Sequence, residues 1–392
     1  MKIIYAMAAI YPYGSAYASR VLNFCRMLTY MGHEVFVFCD YLSKDVAKIT
    51  ENEAVYETVK IHYLTTERTL IDKLTVMYRT PTELDKFLDK EKVDLVITSA
   101  SSNRLQRVLR IVKAHSVPVV IDTCEKFHYS NWTLGRFDYR YYQFLRCWKH
   151  CYHEADGIIA ISSYLQKHFS SKGLITVRIP TILDVKNMVW KENRCDNEHI
   201  NFVFIGGLGN GKDRLVEFIE AMYQLKGKTK HKAVLNVYGP SEAEAVKQMQ
   251  KKASILRELG NTVRFCGKIP QRDVPEAIQN NDFGIIIRPD RESSHAGFPT
   301  KLAEYMSVGT PVVANNTSDI GKYIQNGKNG YLIKEGTTDK IVQVLREILN
   351  IDIDDLNEMR KQARKTAEES FDYPLYADVL SGLIIDCVNK SL

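Results

Sequence analysis

The sequence lacks most of the features that assign a chain to a specialised class of protein. No apolar run approaches the roughly 18 residues that a membrane-spanning helix needs, and neither internal repeats nor low-complexity tracts occur. None of the eight cysteines forms a C-x-x-C pair, the spacing typical of redox and zinc sites. These absences argue against repeat, membrane-spanning and disulfide-stapled classes. The scattered cysteines fit reduced thiols and a cytoplasmic location.

The sequence also lacks a large excess of charge of either sign. Lys and Arg number 53 against 47 Asp and Glu, a net charge of +6 without basic blocks, so we expect no nucleic-acid partner. No D-x-D motif ends a strand, and DIDD at 352–355 is typical of a helix start. The one cluster of metal-ligand side chains, on a single helix, would need ligands from elsewhere, and we predict no metal site there; it comprises Cys147, His150, Cys151 and His153.

Short β-rich runs alternate with helical stretches, which is typical of parallel sheets covered by helices. The predicted strands are 2–8, 34–39, 59–64, 94–100, 117–122, 157–162 and 176–180, then 200–207, 233–239, 263–267, 283–289 and 311–316. We therefore predict an α/β fold with two doubly wound, Rossmann-like domains, 1–183 and 198–372, which face a cleft at the carboxyl ends of their strands. A C-terminal helix at 374–392 is expected to pack back on the first domain.

The first residues, MKIIYAMAAIYPYGSAYAS, fit two interpretations. One lysine, an apolar stretch and a small-residue site at Ala16 and Ala18 match a secretory signal peptide. The chain continues at once as an amphipathic helix, a stop at Gly32 and a second strand. We therefore favour a buried first strand that enters a glycine loop.

The stretch FVFIGGLGNGKDR, residues 202–214, resembles an ATP-binding loop. The Walker pattern G-x-x-x-x-G-K-[ST] is met by Gly206, Gly211 and Lys212 and fails at Asp213, where a hydroxyl should reach magnesium. A carboxylate there would face the phosphates. A dinucleotide fingerprint also fails, because its third glycine position is Lys212.

The strongest local cluster covers residues 288–316. Arg288 ends an apolar strand, and a helix begins near Thr300 after a loop of small residues. The free amides at such a helix start bind phosphate. Lys301 and Glu304 share one helical face, where a carboxylate can accept hydrogen bonds from two ribose hydroxyls. The plain alternative is a surface pair that stabilises the helix by about 0.2–0.5 kcal/mol.

The segment GFPTKLAEYMSVGTPVVAN is similar to the donor-binding signature of the retaining glycosyltransferases of family 4, which have the two-domain GT-B fold. GHEVFVF, ADGIIAISSYLQKHF, VRIPTILD and the late turn NGKNGYLIKEG resemble further segments of that family, in the same order. The lysine of its phosphate loop matches Lys212. The resemblance implies the donor-binding residues Gly206, Gly207, Lys212, Gly297, Phe298, Pro299, Thr300, Lys301 and Glu304.

The resemblance implies transfer of a sugar from a nucleotide diphosphate sugar to a hydroxyl, with retention and with neither a metal nor a resident cofactor. Lys212, Arg288 and Lys301 would stabilise the departing diphosphate. Two positions depart from the family: its first glutamate is Ala296 here, and its loop arginine is Gly207. These departures keep open a GT-B binding subunit without catalysis. A sugar-nucleotide epimerase on the same scaffold is a third alternative.

The resemblance places the acceptor, a saccharide or a lipid-linked sugar, in the first domain. Gly14 and Ser15 follow the first strand, and Asp122, Glu125 and His128 follow the fifth. The latter group would orient an acceptor hydroxyl or stabilise positive charge on the sugar, and we predict that Glu125 is the catalytic member. The plain alternatives are a strand-to-helix turn and a surface histidine.

Residues 140–153 form an amphipathic helix with basic and aromatic sides. Such a helix could contact the inner, anionic face of a membrane. We favour the alternative of a helix packed on the core with solvated charges.

Overall fold

The computed structural model describes residues 1–66, 69–99, 102–132, 134–190, 199–208 and 213–391. The chain divides into two compact units, of which the first is Met1–Ile182 with Tyr373–Leu392 and the second is Leu183–Asp372. In the described part of the chain, no helix is both long and apolar enough to cross a membrane.

The first unit is built on a sheet covered by helices. Its strands are β1 (Lys2–Ala6), β2 (Ile10–Tyr11), β3 (Glu34–Leu42), β4 (Glu53–Tyr56), β5 (Val59–Thr65), β6 (Leu95–Ser99), β7 (Val119–Thr123), β8 (Gly157–Ala160) and β9 (Thr176–Arg178). Its helices are α1 (Ala16–Tyr30), α2 (Leu70–Leu88), α3 (Ser102–Ala114), α4 (Tyr139–His150), α5 (Ser163–Ser170) and, from the end of the chain, α14 (Ala377–Ser391). The strand order is β4-β5-β3-β1-β6-β7-β8-β9, and β2 pairs with β3.

The first strand lies in the middle of this sheet. Ile3 pairs in parallel with Val35 of β3 and with Leu95 of β6. Residues 3–6 are buried, as expected for a strand covered on both faces of a parallel sheet. The interpretation of the first residues as a buried strand is therefore confirmed.

The second unit repeats this architecture. Its strands are β10 (His199–Ile205), β11 (Lys232–Tyr238), β12 (Val263–Gly267), β13 (Phe283–Ile286), β14 (Val312–Asn315) and β15 (Gly330–Ile333). Its helices are α6 (Leu215–Leu225), α7 (Glu242–Met249), α8 (Ser254–Leu259), α9 (Val274–Gln279), α10 (Glu292–Ala296), α11 (Thr300–Ser307), α12 (Thr338–Ile348) and α13 (Ile353–Ser370). The order β12-β11-β10-β13-β14-β15 is parallel throughout. The predicted fold class of two doubly wound α/β domains is confirmed.

The structure also contains strands that the sequence pattern did not predict. β2 and β4 are short, and β4 pairs antiparallel with β5 at the edge of the first sheet. β15 lies in the segment for which a late turn was predicted: the four strand residues follow that turn directly. The DIDD segment begins α13 as predicted, with Asp352 preceding the first helical residue.

The end of the chain packs on the first unit. Leu380, Leu383, Ile384 and Cys387 of α14 are buried in the same core cluster as β1 and β3. The predicted bounds were 1–183 and 374–392 for this domain, against 1–182 and 373–392 in the structure.

Candidate functional site

Lys301 forms a part-buried ion pair at the start of α11. Its ammonium nitrogen lies 3.1 Å from Oδ2 of Asp213, and the two side chains are only 15% and 8% exposed. The other carboxylate oxygen of Asp213 is buried and has no hydrogen-bond partner among the residues that the structure describes. The residue that breaks the Walker pattern therefore pairs with a lysine 88 positions away.

Phe204 and Gly206, at the end of β10, surround the Lys301 ammonium. Its nitrogen lies 4.5 Å from the centroid of the Phe204 ring, a distance at which a cation is attracted to an aromatic face. A Cβ atom on Gly206 would lie 2.6 Å from that nitrogen and 3.5 Å from Oδ2 of Asp213. A side chain at this position would therefore displace the Lys301 ammonium from its place beside Asp213.

Burial shapes the charges of Lys301 and Glu304. Burial lowers the pKa of Lys301, the adjacent Asp213 raises it, and the positive charge of Arg288 lowers it further. Burial raises the pKa of Glu304 to about 7, and the charge of Lys301 offsets only part of that effect. The Glu304 side chain is half-buried.

Arg288 is anchored through its backbone. Its amide donates a hydrogen bond to Oδ1 of Asn315 (2.7 Å), and its carbonyl accepts one from Nδ2 of the same side chain (2.8 Å). Asn315 ends β14, and Arg288 follows the neighbouring β13. This exchange fixes Arg288 at the carboxyl edge of the sheet. Asn315 was not singled out from the sequence, where its only signal was its position at the end of an apolar strand.

Tyr305 fixes α11 against the sheet. Its hydroxyl accepts a hydrogen bond from the Ile205 amide (3.2 Å) and donates one to the Val203 carbonyl (3.4 Å). A Cβ atom on Gly284 of β13 would overlap the fully buried ring. The contacts of Tyr305, which the sequence did not reveal, therefore set the position of the neighbouring Glu304.

The loop before α11 packs against the core of the second unit. Gly297, Phe298 and Pro299 are buried, and the Phe298 ring packs against Tyr323 and Phe371 with centroids 5.6 and 6.1 Å apart. The Phe298 ring therefore belongs to the core, and binding of the donor at Phe298 stays a prediction.

The remaining donor-side predictions divide by location. Thr300 is half-buried at the first position of α11, and Gly207 is exposed after β10. Ala296, at the position of the family's first glutamate, is fully buried. Lys212 and Gly211 lie outside the described residues, so the prediction for Lys212 stays a prediction.

Asp122 lies in the core of the first unit. Arg20 donates from Nε to Oδ2 (2.9 Å) and from Nη2 to Oδ1 (2.8 Å), and the Tyr5 hydroxyl donates to Oδ2 (2.6 Å). Arg20 also donates to the Pro180 carbonyl at 2.7 Å. Both carboxylate oxygens of Asp122 are thus bonded within the core, which fits a structural role, and the orientation of an acceptor by Asp122 stays a prediction.

The other acceptor-side predictions lie on the surface. Gly14, Ser15, Glu125 and His128 are exposed. The Ser15 hydroxyl accepts a hydrogen bond from the amide two residues into α1, at 3.1 Å, and His128 caps a short 3-10 turn. The capping contacts agree with the plain alternatives for Ser15 and His128, and Glu125 is left exposed to solvent.

Helix α4 packs on the core, as favoured from its sequence. Phe144, Cys147 and Trp148 are its buried residues. A set of exposed apolar side chains at and before its start comprises Leu134, Phe137, Tyr139 and Tyr142. Within the described residues, no three or more His, Cys, Asp or Glu side chains converge on a potential metal site.

Two family models match this chain, one in each unit. The Glycosyl transferase 4-like domain matches residues 15–182, and Glycosyl transferases group 1 matches residues 189–369. Together they account for most of the sequence. With the two parallel-sheet domains, these matches define the chain as a glycosyltransferase of the GT-B fold.

Relatives and solved structures agree with this class. A protein named as a colanic acid biosynthesis glycosyltransferase, WcaL of Escherichia coli (strain K12), is 27% identical over 130 residues, 32% of each chain. An uncharacterized 41.2 kDa protein in the cps region of Klebsiella pneumoniae is 24% identical over 56% of this chain and 58% of its own. The amylovoran biosynthesis glycosyltransferase AmsK of Erwinia amylovora is 29% identical over 28% of this chain and 26% of its own. The match thus spans about a third of the length of WcaL.

Two solved structures illustrate the fold. Sucrose-phosphate synthase from Thermosynechococcus elongatus has a TM-score of 0.75 at 14% identity, with 99% of each chain covered. Anabaena Alr3699/HepE in complex with UDP and glucose has a TM-score of 0.67 at 17% identity, with 98% of this chain and 99% of the other covered. At these identities, the likeness shows the fold alone.

Proposed function

We propose that this glycosyltransferase moves a sugar from a nucleotide diphosphate sugar to a hydroxyl of a saccharide or lipid-linked acceptor, with retention and without a metal ion. The observation that carries the proposal is the part-buried cation Lys301 in the first turn of α11. Departure of a diphosphate builds negative charge, and preorganised cations and helix-start amides stabilise that charge strongly in a dry site. Arg288 supplies a second charge at the same sheet edge.

The other donor residues have complementary roles. Glu304, on the same helix face as Lys301, accepts hydrogen bonds from ribose hydroxyls when it is ionised. Lys212 contacts the diphosphate from the loop after β10. The nucleotide-sugar donor is supported by the HepE structure, which contains UDP and glucose. The names of WcaL and AmsK support a role in polysaccharide or glycoconjugate synthesis.

A panel of nucleotide sugars tests this proposal. The correct donor should raise the melting temperature, because a ligand that binds only the folded chain stabilises it. The same donor should be hydrolysed slowly without acceptor, releasing nucleoside diphosphate. Lys301→Ala should lower turnover by roughly 10²–10³-fold, and the control Lys361→Ala, at an exposed helix position, should leave it unchanged. Undiminished turnover in Lys301→Ala, or its complete loss on chelation alone, would refute the proposal.

The second candidate is a GT-B binding subunit without catalysis, favoured by the buried Ala296 in place of a glutamate. Stabilisation by a nucleotide sugar with no hydrolysis and no transfer would establish it. A free sugar of altered configuration would instead indicate an epimerase.

We also propose that the first unit contacts the cytoplasmic face of an anionic membrane, where a lipid-linked acceptor would lie. Phe137 is 91% exposed, and Leu134, Tyr139 and Tyr142 are 58–67% exposed. Between 126 and 150 the chain has five Lys or Arg against one acidic residue, Asp138, which is itself paired with Arg140. Exposed aromatics beside basic side chains suit an anionic lipid surface.

Vesicle co-sedimentation tests this contact. Binding should require anionic lipid and fall with added salt. Phe137→Ser should weaken it, whereas the control Ile385→Ser, an exposed apolar residue of α14, should not. Equal binding to neutral vesicles, or none to either, would contradict the contact.

A further inference from the structure

Asp213 is the residue at which the sequence departs from the Walker pattern, and it forms the ion pair with Lys301. Asp213 follows the glycine-rich loop directly and precedes α6, whereas Lys301 belongs to α11. The side chains meet at 3.1 Å with little exposure to solvent. Removing one partner of such a pair leaves an uncompensated buried charge. The position of each side chain therefore depends on the other.

The neighbours of Lys301 leave its ammonium little freedom. The Phe204 ring lies on one side at 4.5 Å, and Gly206 is so close that a Cβ atom there would lie 2.6 Å from the ammonium nitrogen. The contact with Asp213 restricts the ammonium further. A cation fixed in this way needs no reorganisation when negative charge develops beside it.

We propose that Asp213 is a positioning residue that holds the Lys301 ammonium between Phe204 and Gly206, ready to receive the diphosphate of the donor. This inference rests on the proposed function. It explains why a carboxylate stands where an ATP-binding loop has a magnesium-binding hydroxyl. In this chain the position serves a lysine on another element.

Asp213 also keeps Lys301 charged. Burial and the charge of Arg288 both lower the pKa of Lys301, while Asp213 and Glu304 raise it. These are the charged groups that act on the ammonium among the described residues, and Asp213 alone is in direct contact with it. Loss of the Asp213 charge should therefore make Lys301 titrate at lower pH.

The test measures Lys301 titration and nucleotide binding in the full chain. In Asp213→Asn, side-chain NMR should show Lys301 titrating about 1–3 pH units lower than in the wild type, the shift expected from loss of an adjacent opposite charge. The alkaline loss of affinity for UDP, GDP or ADP, whichever binds best, should move down by the same amount. A residue needed only for folding would instead weaken binding equally at every pH.

A double variant separates position from charge. Asp213→Asn with Lys301→Arg should bind the nucleotide without that alkaline loss, because a guanidinium does not deprotonate in this range. If Asp213→Asn does not fold, the smaller Asp213→Ser gives the same test. Identical Lys301 titration in the wild type and Asp213→Asn would overturn the inference while leaving the proposed function standing. A shifted titration with no nucleotide bound by the wild type would overturn both.

Discussion

The network around Asp122 distinguishes a structural role from a role in acceptor binding. The Arg20 and Asp122 side chains are 2% and 0% exposed, and Tyr5 donates a further hydrogen bond to the carboxylate. Asp122→Ala would leave the Arg20 guanidinium buried without its counter-ion. Breaking a buried pair in this way costs about 3–5 kcal/mol, a large part of the 5–15 kcal/mol typical of a folded domain.

The assay is urea unfolding followed by tryptophan fluorescence in a Trp190→Phe background. Of the three tryptophans, Trp132 and Trp148 then report on the first unit alone. Asp122→Ala should lower the free energy of unfolding by the stated amount. Arg20→Met combined with Asp122→Leu should recover much of it, because an apolar pair replaces the ion pair.

The control is Lys60→Ala, which removes an ion pair to Glu34 whose side chains are 55% and 46% exposed. An exposed pair contributes about 0–1 kcal/mol, so the midpoint should hardly move. If Asp122→Ala unfolds like the wild type yet loses transfer to acceptor, the structural reasoning is refuted and the predicted acceptor role is supported.

Three further predictions follow from the second unit and from α14. Gly206→Ala should displace the Lys301 ammonium and weaken nucleoside diphosphate binding by roughly 10–100-fold, the loss of one charge-assisted hydrogen bond, measured by calorimetry. Glu304 has a pKa of about 7 when folded, against 4.5 in its ordinary state. Between these two pH values the folded chain therefore holds a proton on Glu304 that the unfolded chain has lost. The stabilisation of the fold by this proton is present at low pH and is lost as pH rises through about 7. Glu304→Gln should remove this pH dependence from melting temperatures measured at about pH 5–8. Gly382→Ala, in α14 with no atom near a new Cβ, should stabilise the chain by about 0.5–1 kcal/mol without changing nucleotide binding.

The sequence predicted those parts of the fold that depend on local pattern. Continuous apolar runs marked the buried parallel strands, as in β1 and β10, because both faces of such strands are covered. Strands β2 and β4 were missed, since two to four residues at an edge carry little periodic signal.

The site was predicted less completely, because its contacts are long-range. Lys301 and Glu304 were predicted as site residues from a helix start and a shared helix face, which are local features. Asp213 was noticed only as a misfit, since its partner lies 88 residues away. Asp122 was predicted at the end of a strand, where it lies, but the sequence does not show in which direction its side chain points. In the structure its carboxylate accepts a hydrogen bond from Arg20 of α1.

The proposed donor site holds one cation in a fixed position but carries little net positive charge. Lys301 and Arg288 contribute two cations, but Asp213 offsets one of them, and Glu304 becomes anionic as pH rises through about 7. The described residues around the diphosphate therefore carry little net positive charge. Such a site should bind the intact donor only weakly. Charge that develops on the leaving diphosphate meets an ammonium already in place, and interactions stronger in the transition state than in the ground state are those that accelerate a reaction. A modest net charge also allows the nucleoside diphosphate product to leave.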